Sequence, residues 1–136
     1  MNAAIEDIKN MLLAESSLDL VLGGNLHLYR EPAKPDETVT LFEVEGMPIV
    51  GLLNANEDTK HIERTSIQIR IRTRNAENGY VLGAKLIQLL HGVANEEWGD
   101  YFYLLIHHIS GPALVDWDDS NRARIVVNFN IQRRLS

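Results

Sequence analysis

Two groups of residues carry side chains suited to chemistry. His107 and His108 are adjacent in an apolar run, and Asp116, Asp118 and Asp119 follow close behind. An imidazole beside a carboxylate can act as acid and base, and the same pair can hold a divalent metal ion. A small metal-dependent enzyme is therefore one function class to weigh. Adjacent residues on a strand point to opposite faces, so His107 and His108 would not chelate one ion together. The same residues also compose a solvated acidic loop next to two half-buried histidines, and this simpler account needs no convergence in space. The sequence has no phosphate-binding glycine loop, no G-x-S-x-G elbow and no H-E-x-x-H helix. No serine, histidine and carboxylate stand out as a triad, although such groups converge from distant positions in many folds. Cysteine is absent, which excludes disulfides, thiolate metal sites and cysteine nucleophiles. No cofactor is implied.

Three arginines, Arg70, Arg72 and Arg74, alternate along one stretch and form a basic row. Such a row meets phosphate or an acidic partner, or it is a solvated face balanced by Glu43 or Glu45 on a neighbouring strand. The formal charge of −6 argues against tight binding to nucleic-acid phosphates, which depends on an excess of Lys and Arg. A solvated face or a subunit contact through Arg70 and Arg72 fits better. Trp117, within the acidic stretch, is either a core anchor or an interface aromatic. Residues 47–60 show no clean period and read as a long loop. Its first half is apolar, with Met47, Ile49, Val50, Leu52 and Leu53. An apolar loop either folds back on its own core or packs against another subunit.

The chain has 136 residues, 45% apolar and 24% charged, which predicts one soluble domain over 1–136. The first residues, MNAAIEDIKN, do not form a signal peptide. No stretch approaches the roughly 20 apolar residues of a membrane span.

The elements that must position these residues follow from periodicity. Ile5, Ile8 and Leu12 predict a helix over 2–15, with Glu6 and Asp7 on the favourable side of its dipole. Residues 26–31 and 38–45 read as strands, separated by a loop that carries Pro32 and Pro35. Ile67, Ile69 and Ile71 alternate with polar residues in a strand over 61–74. Asn75 is placed to cap a helix over 76–91, and Gly92 to end it. Residues 95–100 read as a polar turn. In the strand 101–109, Tyr101, Tyr103, Leu105 and Ile109 face one way, and Phe102, Leu104 and Ile106 the other. A strand apolar on both sides is buried on both sides. Ser110, Gly111 and Pro112 end it, and a last strand covers 122–133. The order α-β-β-β-α-β-β, with antiparallel pairs, predicts an α+β sandwich of two layers: a mostly antiparallel sheet with both helices on one face.

Read together, these features resemble the tail terminator proteins of long-tailed bacteriophages, also described as minor capsid proteins. The resemblance lies in Ser66-Ile67-Gln68-Ile69-Arg70-Ile71-Arg72-Thr73-Arg74-Asn75, then Glu77 and Tyr80, then a helix closing on Leu89-Leu90-His91-Gly92. The segment YLLIHHISGPALVDWDDSNRARIVVNFNIQR is similar to the family's ending of strand, proline loop, polar turn with arginine and last strand. The match rests on order and spacing, and is strongest over 61–134; the PIVGLL of the 47–60 loop departs from the polar turn usual there. The resemblance implies a structural virion protein and not an enzyme, in a ring of identical subunits, typically six. Such a ring ends the tail tube, stops its polymerisation and presents a surface to the head connector, while DNA passes through without specific binding. Its place is the neck of the virion, assembled in the host cytoplasm. Subunit or tube contacts would then fall to Met47, Ile49, Val50, Leu52, Leu53, Arg70, Arg72 and Trp117, and channel-facing carboxylates to Asp116, Asp118 and Asp119. Another head–tail connector protein is the nearest alternative.

Overall fold

A computed structural model describes residues 2–44 and 62–136. The element order is α1 (Ala4–Ala14), a 3-10 turn (Ser16–Leu18), β1 (Leu26–Leu28), β2 (Thr38–Val44), β3 (Glu63–Thr73), α2 (Ala76–Leu90), β4 (Glu96–Trp98), β5 (Tyr101–Trp117) and β6 (Ala123–Leu135). The expected apolar loop, with Met47, Ile49, Val50, Leu52 and Leu53, lies outside the described residues, as does the expected strand start at His61. The fold is α+β, and the six strands among the described residues form one sheet in the order β1-β2-β3-β6-β5-β4. Among the described strands, only β1 and β2 pair in parallel.

The alternation that predicts β3 also builds the core. Ile67, Ile69 and Ile71 lie opposite Phe129, Val127 and Ile125 of β6, and all six are buried. On the next strand Leu41 pairs with Ile69 and Val39 with Ile71, which extends the same apolar face. Both helices lie on that face. α1 contributes Ile5, Ile8 and Leu12 to the core, and α2 contributes Leu86 and Leu90. The Asn75 side chain accepts the Asn78 amide at 3.2 Å, the expected cap of α2. Two glycines one turn apart then let α2 sit close on the sheet. A Cβ at Gly79 would strike Ile125, and one at Gly83 would lie 2.8 Å from Pro112 Cβ.

Two expectations are corrected on the β5 side. The polar turn at 95–100 contains β4, which pairs with Tyr101–Tyr103. β5 does not end at Ser110 but continues to Trp117, through register shifts that absorb Gly111 and Pro112. Gly111 has φ +90, and a Cβ there would collide with the Val126 carbonyl oxygen, so the site demands glycine. The shift between Tyr103 and Leu105 also moves Ile106 onto the face of Tyr103, because one extra residue reverses the phase of a strand. Tyr101, Tyr103 and Ile106 are therefore buried together, while Phe102, Leu104 and Leu105 are half-buried. β5 is not the two-sided apolar strand that its sequence suggests. Phe102 is covered by the Arg134 guanidinium, 4.6 Å above its ring.

α1 is tied to the sheet by charge as well as by packing. Asp7, read as a partner of the helix dipole, is only 1% exposed. It accepts from the Tyr103 hydroxyl at 2.5 Å and lies 3.5 Å from Arg133, which also pairs with Glu63 at 2.9 Å. Burial, then the bond to Asp7, pushes the Tyr103 phenol well above its usual range. A buried pair adds little net stability, but removing one partner strands the other charge, at about 3–5 kcal/mol. Arg133→Met is therefore expected to destabilise the protein by about 3–5 kcal/mol in chemical denaturation, and Asp7→Asn in the same chain should recover part of that loss.

Candidate functional site

The charged residues singled out in the sequence gather at the end of the sheet where β3 finishes, β6 begins and the β5–β6 hairpin turns. Strand alternation places Arg70, Arg72 and Arg124 on the face without helices. Arg72 is 2% exposed. Its guanidinium donates to the carbonyls of Pro32, Pro35 (2.7 Å) and Asp36 (3.3 Å). Burial first, and then the neighbouring Arg122, lower its pKa from the usual arginine value. Its fork is engaged inside the chain, holding the proline loop against the sheet, and is not held out at the surface. Arg70 is partly exposed. It lies 3.7 Å from Glu31 and 4.9 Å over the Phe42 ring. The row is thus met by Glu31 and Asp36 of the proline loop; of the two expected partners, Glu43 is exposed opposite Ile67, and Glu45 lies outside the described residues.

Arg122 and Arg124 complete the network, and sequence reasoning missed both. Arg122 donates to Asp118 Oδ2 at 2.7 Å and to the Ala33 carbonyl at 2.6 Å, and approaches Asp36 at 3.4 Å. Arg124 lies 3.3 Å from Glu31 and 3.1 Å from Asp116. Arg74 joins Asp36 at 2.7 Å to the Ser120 carbonyl at 3.0 Å. The only sequence signal was the alternation of Arg122 and Arg124 into β6, across from the earlier row on β3.

The three carboxylates proposed for a channel are not equivalent. Asp118 is an internal cap of the hairpin turn: its side chain is 6% exposed and accepts the amides of Ser120 (3.0 Å) and Arg122 (2.9 Å). Its burial pushes its pKa up, but the amide and guanidinium of Arg122 outweigh that and hold it below the usual carboxylate range. Asp116 is exposed and paired with Arg124; Asp119 is exposed. Trp117 is no core anchor. It is 51% exposed, and Leu114 (40%) and Val115 (60%), also in β5, are exposed as well. Tyr80, at the start of α2, is also exposed, and its hydroxyl accepts the Leu114 amide at 3.0 Å.

The structure does not bring the histidines to the aspartates. His107 lies opposite Asn130 and Asp116 opposite Arg124, six residues along β6, or about 20 Å. The histidines meet His91 instead. The His108 amide donates to His91 Nδ1 at 3.0 Å, and the His91 and His107 ring centres are 5.3 Å apart. Among the described residues, no group of three His, Asp or Glu side chains is placed to hold a metal ion. Among them, too, no helix is long and apolar enough to cross a membrane.

The arginine network gives the hairpin end an acid dependence. Asp36 is held below its ordinary value of 3.8, chiefly by its hydrogen bond to Arg74. A carboxylate whose pKa is lower folded than unfolded stabilises the fold above its unfolded value, and that contribution disappears as pH falls through the folded value. Stability is therefore expected to decline as pH falls below about 4. Asp36→Asn should flatten this acid limb in thermal melts at a series of pH values, and an unchanged slope would contradict the assignment.

Three comparisons bear on what this arrangement belongs to. A family model described as bacteriophage tail terminator protein matches residues 7–134. Among solved structures, a chain of the "Virion of native gene transfer agent (GTA) particle" has a TM-score of 0.63 at 12% identity, covering 97% of this chain and 95% of that chain. At that identity the likeness is one of fold. Comparison with curated proteins gave no significant match.

Proposed function

This chain belongs to the bacteriophage tail terminator family and is a structural tail protein, and from that premise we propose that it closes the tail tube. In this reading identical subunits, six in number, form a ring on the finished tube, stop further addition of tube protein and present a surface to the head connector. The role is structural and not catalytic. DNA passes through the ring without specific binding, in keeping with a formal charge of −6. Assembly takes place in the host cytoplasm.

The observation that carries the proposal is the family match over residues 7–134, which takes in every described strand and both described helices apart from a few terminal residues. Within the ring, contacts with neighbouring subunits or the tube fall to the 47–53 segment and to exposed Trp117, with Leu114 and Val115 beside it. The acidic hairpin end, with Asp116, Asp118 and Asp119, faces the channel. Arg70 and Arg72 serve that end from within, by fixing the loop and turn that shape it.

Tails assembled without this protein and viewed by electron microscopy test the proposal. They are expected to be of irregular, extended length and unable to join heads. Tails of normal length that join heads at the normal rate would overturn it. Ile49→Asp or Leu52→Asp should reproduce the defect, because a charge forced into a desolvated contact costs several kcal/mol.

A further inference from the structure

Copies that meet in a ring need a contact, and the far edge of the sheet does not offer an easy one. Along the outer side of β5, the Ile106 amide donates to the Val93 carbonyl at 2.9 Å, the His108 amide to His91 and the Leu114 amide to Tyr80. A strand arriving from another copy would find these donors taken. At the opposite edge β1 is three residues long. Side-chain packing is then the mode of contact that the described residues favour.

The helical layer contains a place for it. Between the C-terminal ends of α1 and α2 lies a recess of about 220 Å³. Its floor is Met11 and Leu90, both buried, and its walls are Ala14, Leu89, Val93 and Trp98, with Glu15 and Glu96 also lining it and the Glu96 carboxylate accepting from the Trp98 indole at 3.1 Å. Small-molecule sites usually begin near 300 Å³, so this volume suits one or two aliphatic side chains. The run Met47-Pro48-Ile49-Val50-Gly51-Leu52-Leu53 supplies such side chains. It is tethered at Val44, the last residue of β2, and nine residues carry it up to about 30 Å from there. The recess lies by β4, at the other side of the sheet from β2. A donor leaving near one edge and an acceptor near the other describe a head-to-tail contact, which repeats around a ring until it closes.

We propose that the segment Met47–Leu53 of one copy fills the apolar recess between the two helix ends of the next copy. This rests on the ring reading above and names the contact within it.

The absence of cysteine makes the test direct. Ala14→Cys and Ile49→Cys are made in separate full-length chains, mixed, assembled on tube ends and oxidised, with rings checked by electron microscopy before oxidation. Disulfide-linked dimers in the mixture, absent from either variant alone, are the expected result. Rings that form without the link overturn the docking and leave the ring reading standing. A link that stays within one chain when both cysteines share it, with none between chains in the mixture, assigns the recess to the chain's own segment and overturns the proposal. Failure of the unsubstituted chain to form any ring overturns both. Should Ala14→Cys alone prevent assembly, Leu89→Cys replaces it at the same recess.

Discussion

Guanidinium groups on a sheet face without helices must find partners, and this requirement organises one end of the molecule. Arg70 and Arg72 from β3, and Arg124 from β6, project from a face that neither described helix covers. The chain answers with the 29–37 loop. Glu31 and Asp36 meet the charges, and the carbonyls of Pro32 and Pro35 take the hydrogen bonds of Arg72. Proline suits the task, because a residue without an amide donor leaves the loop rich in free carbonyl oxygens. Arg122 then links that loop to the hairpin turn through Ala33 and Asp118. The acidic turn, the proline loop and the ends of the two central strands are therefore one unit.

That unit explains how an acidic, exposed tip is held in place. A carboxylate-rich turn would otherwise repel itself, and Trp117, Leu114 and Val115, just before it in the chain, are exposed among the described residues. Arg122 neutralises Asp118 and Arg124 neutralises Asp116, and together they fix the turn. At the other end, Asp7, Tyr103, Arg133 and Glu63 lock α1 to the sheet with the same kind of chemistry. Between the two charged ends lies an ordinary apolar core.

Much of the fold was legible because strand and helix periods are local. The alternation of Ile67, Ile69 and Ile71, the cap at Asn75 and the stop at Gly92 all appear as read. What the sequence hid was non-local. The bulge after Tyr103 reverses which residues of β5 are buried, and nothing in YFYLLIHHI marks where the extra residue falls. The ladder with β6 carries the strand through Gly111-Pro112, a pair that reads as a stop when seen alone. Asp7 looked like a dipole partner because its own partners stand about a hundred residues away. The candidate site was less legible still. The arginine row was visible, but its balance by a proline loop was not. The histidine–aspartate reading failed on distance along the hairpin. The family was legible through the order and spacing of the elements, not through any single residue's chemistry.

The central claim is that this chain ends the tail tube. Electron microscopy of assembled tails, with a label fused to the chain, tests it most directly. The account predicts one ring of label per tail, at the end of the tube that joins the head. Label spread along the tube, or found at the opposite end, would contradict it.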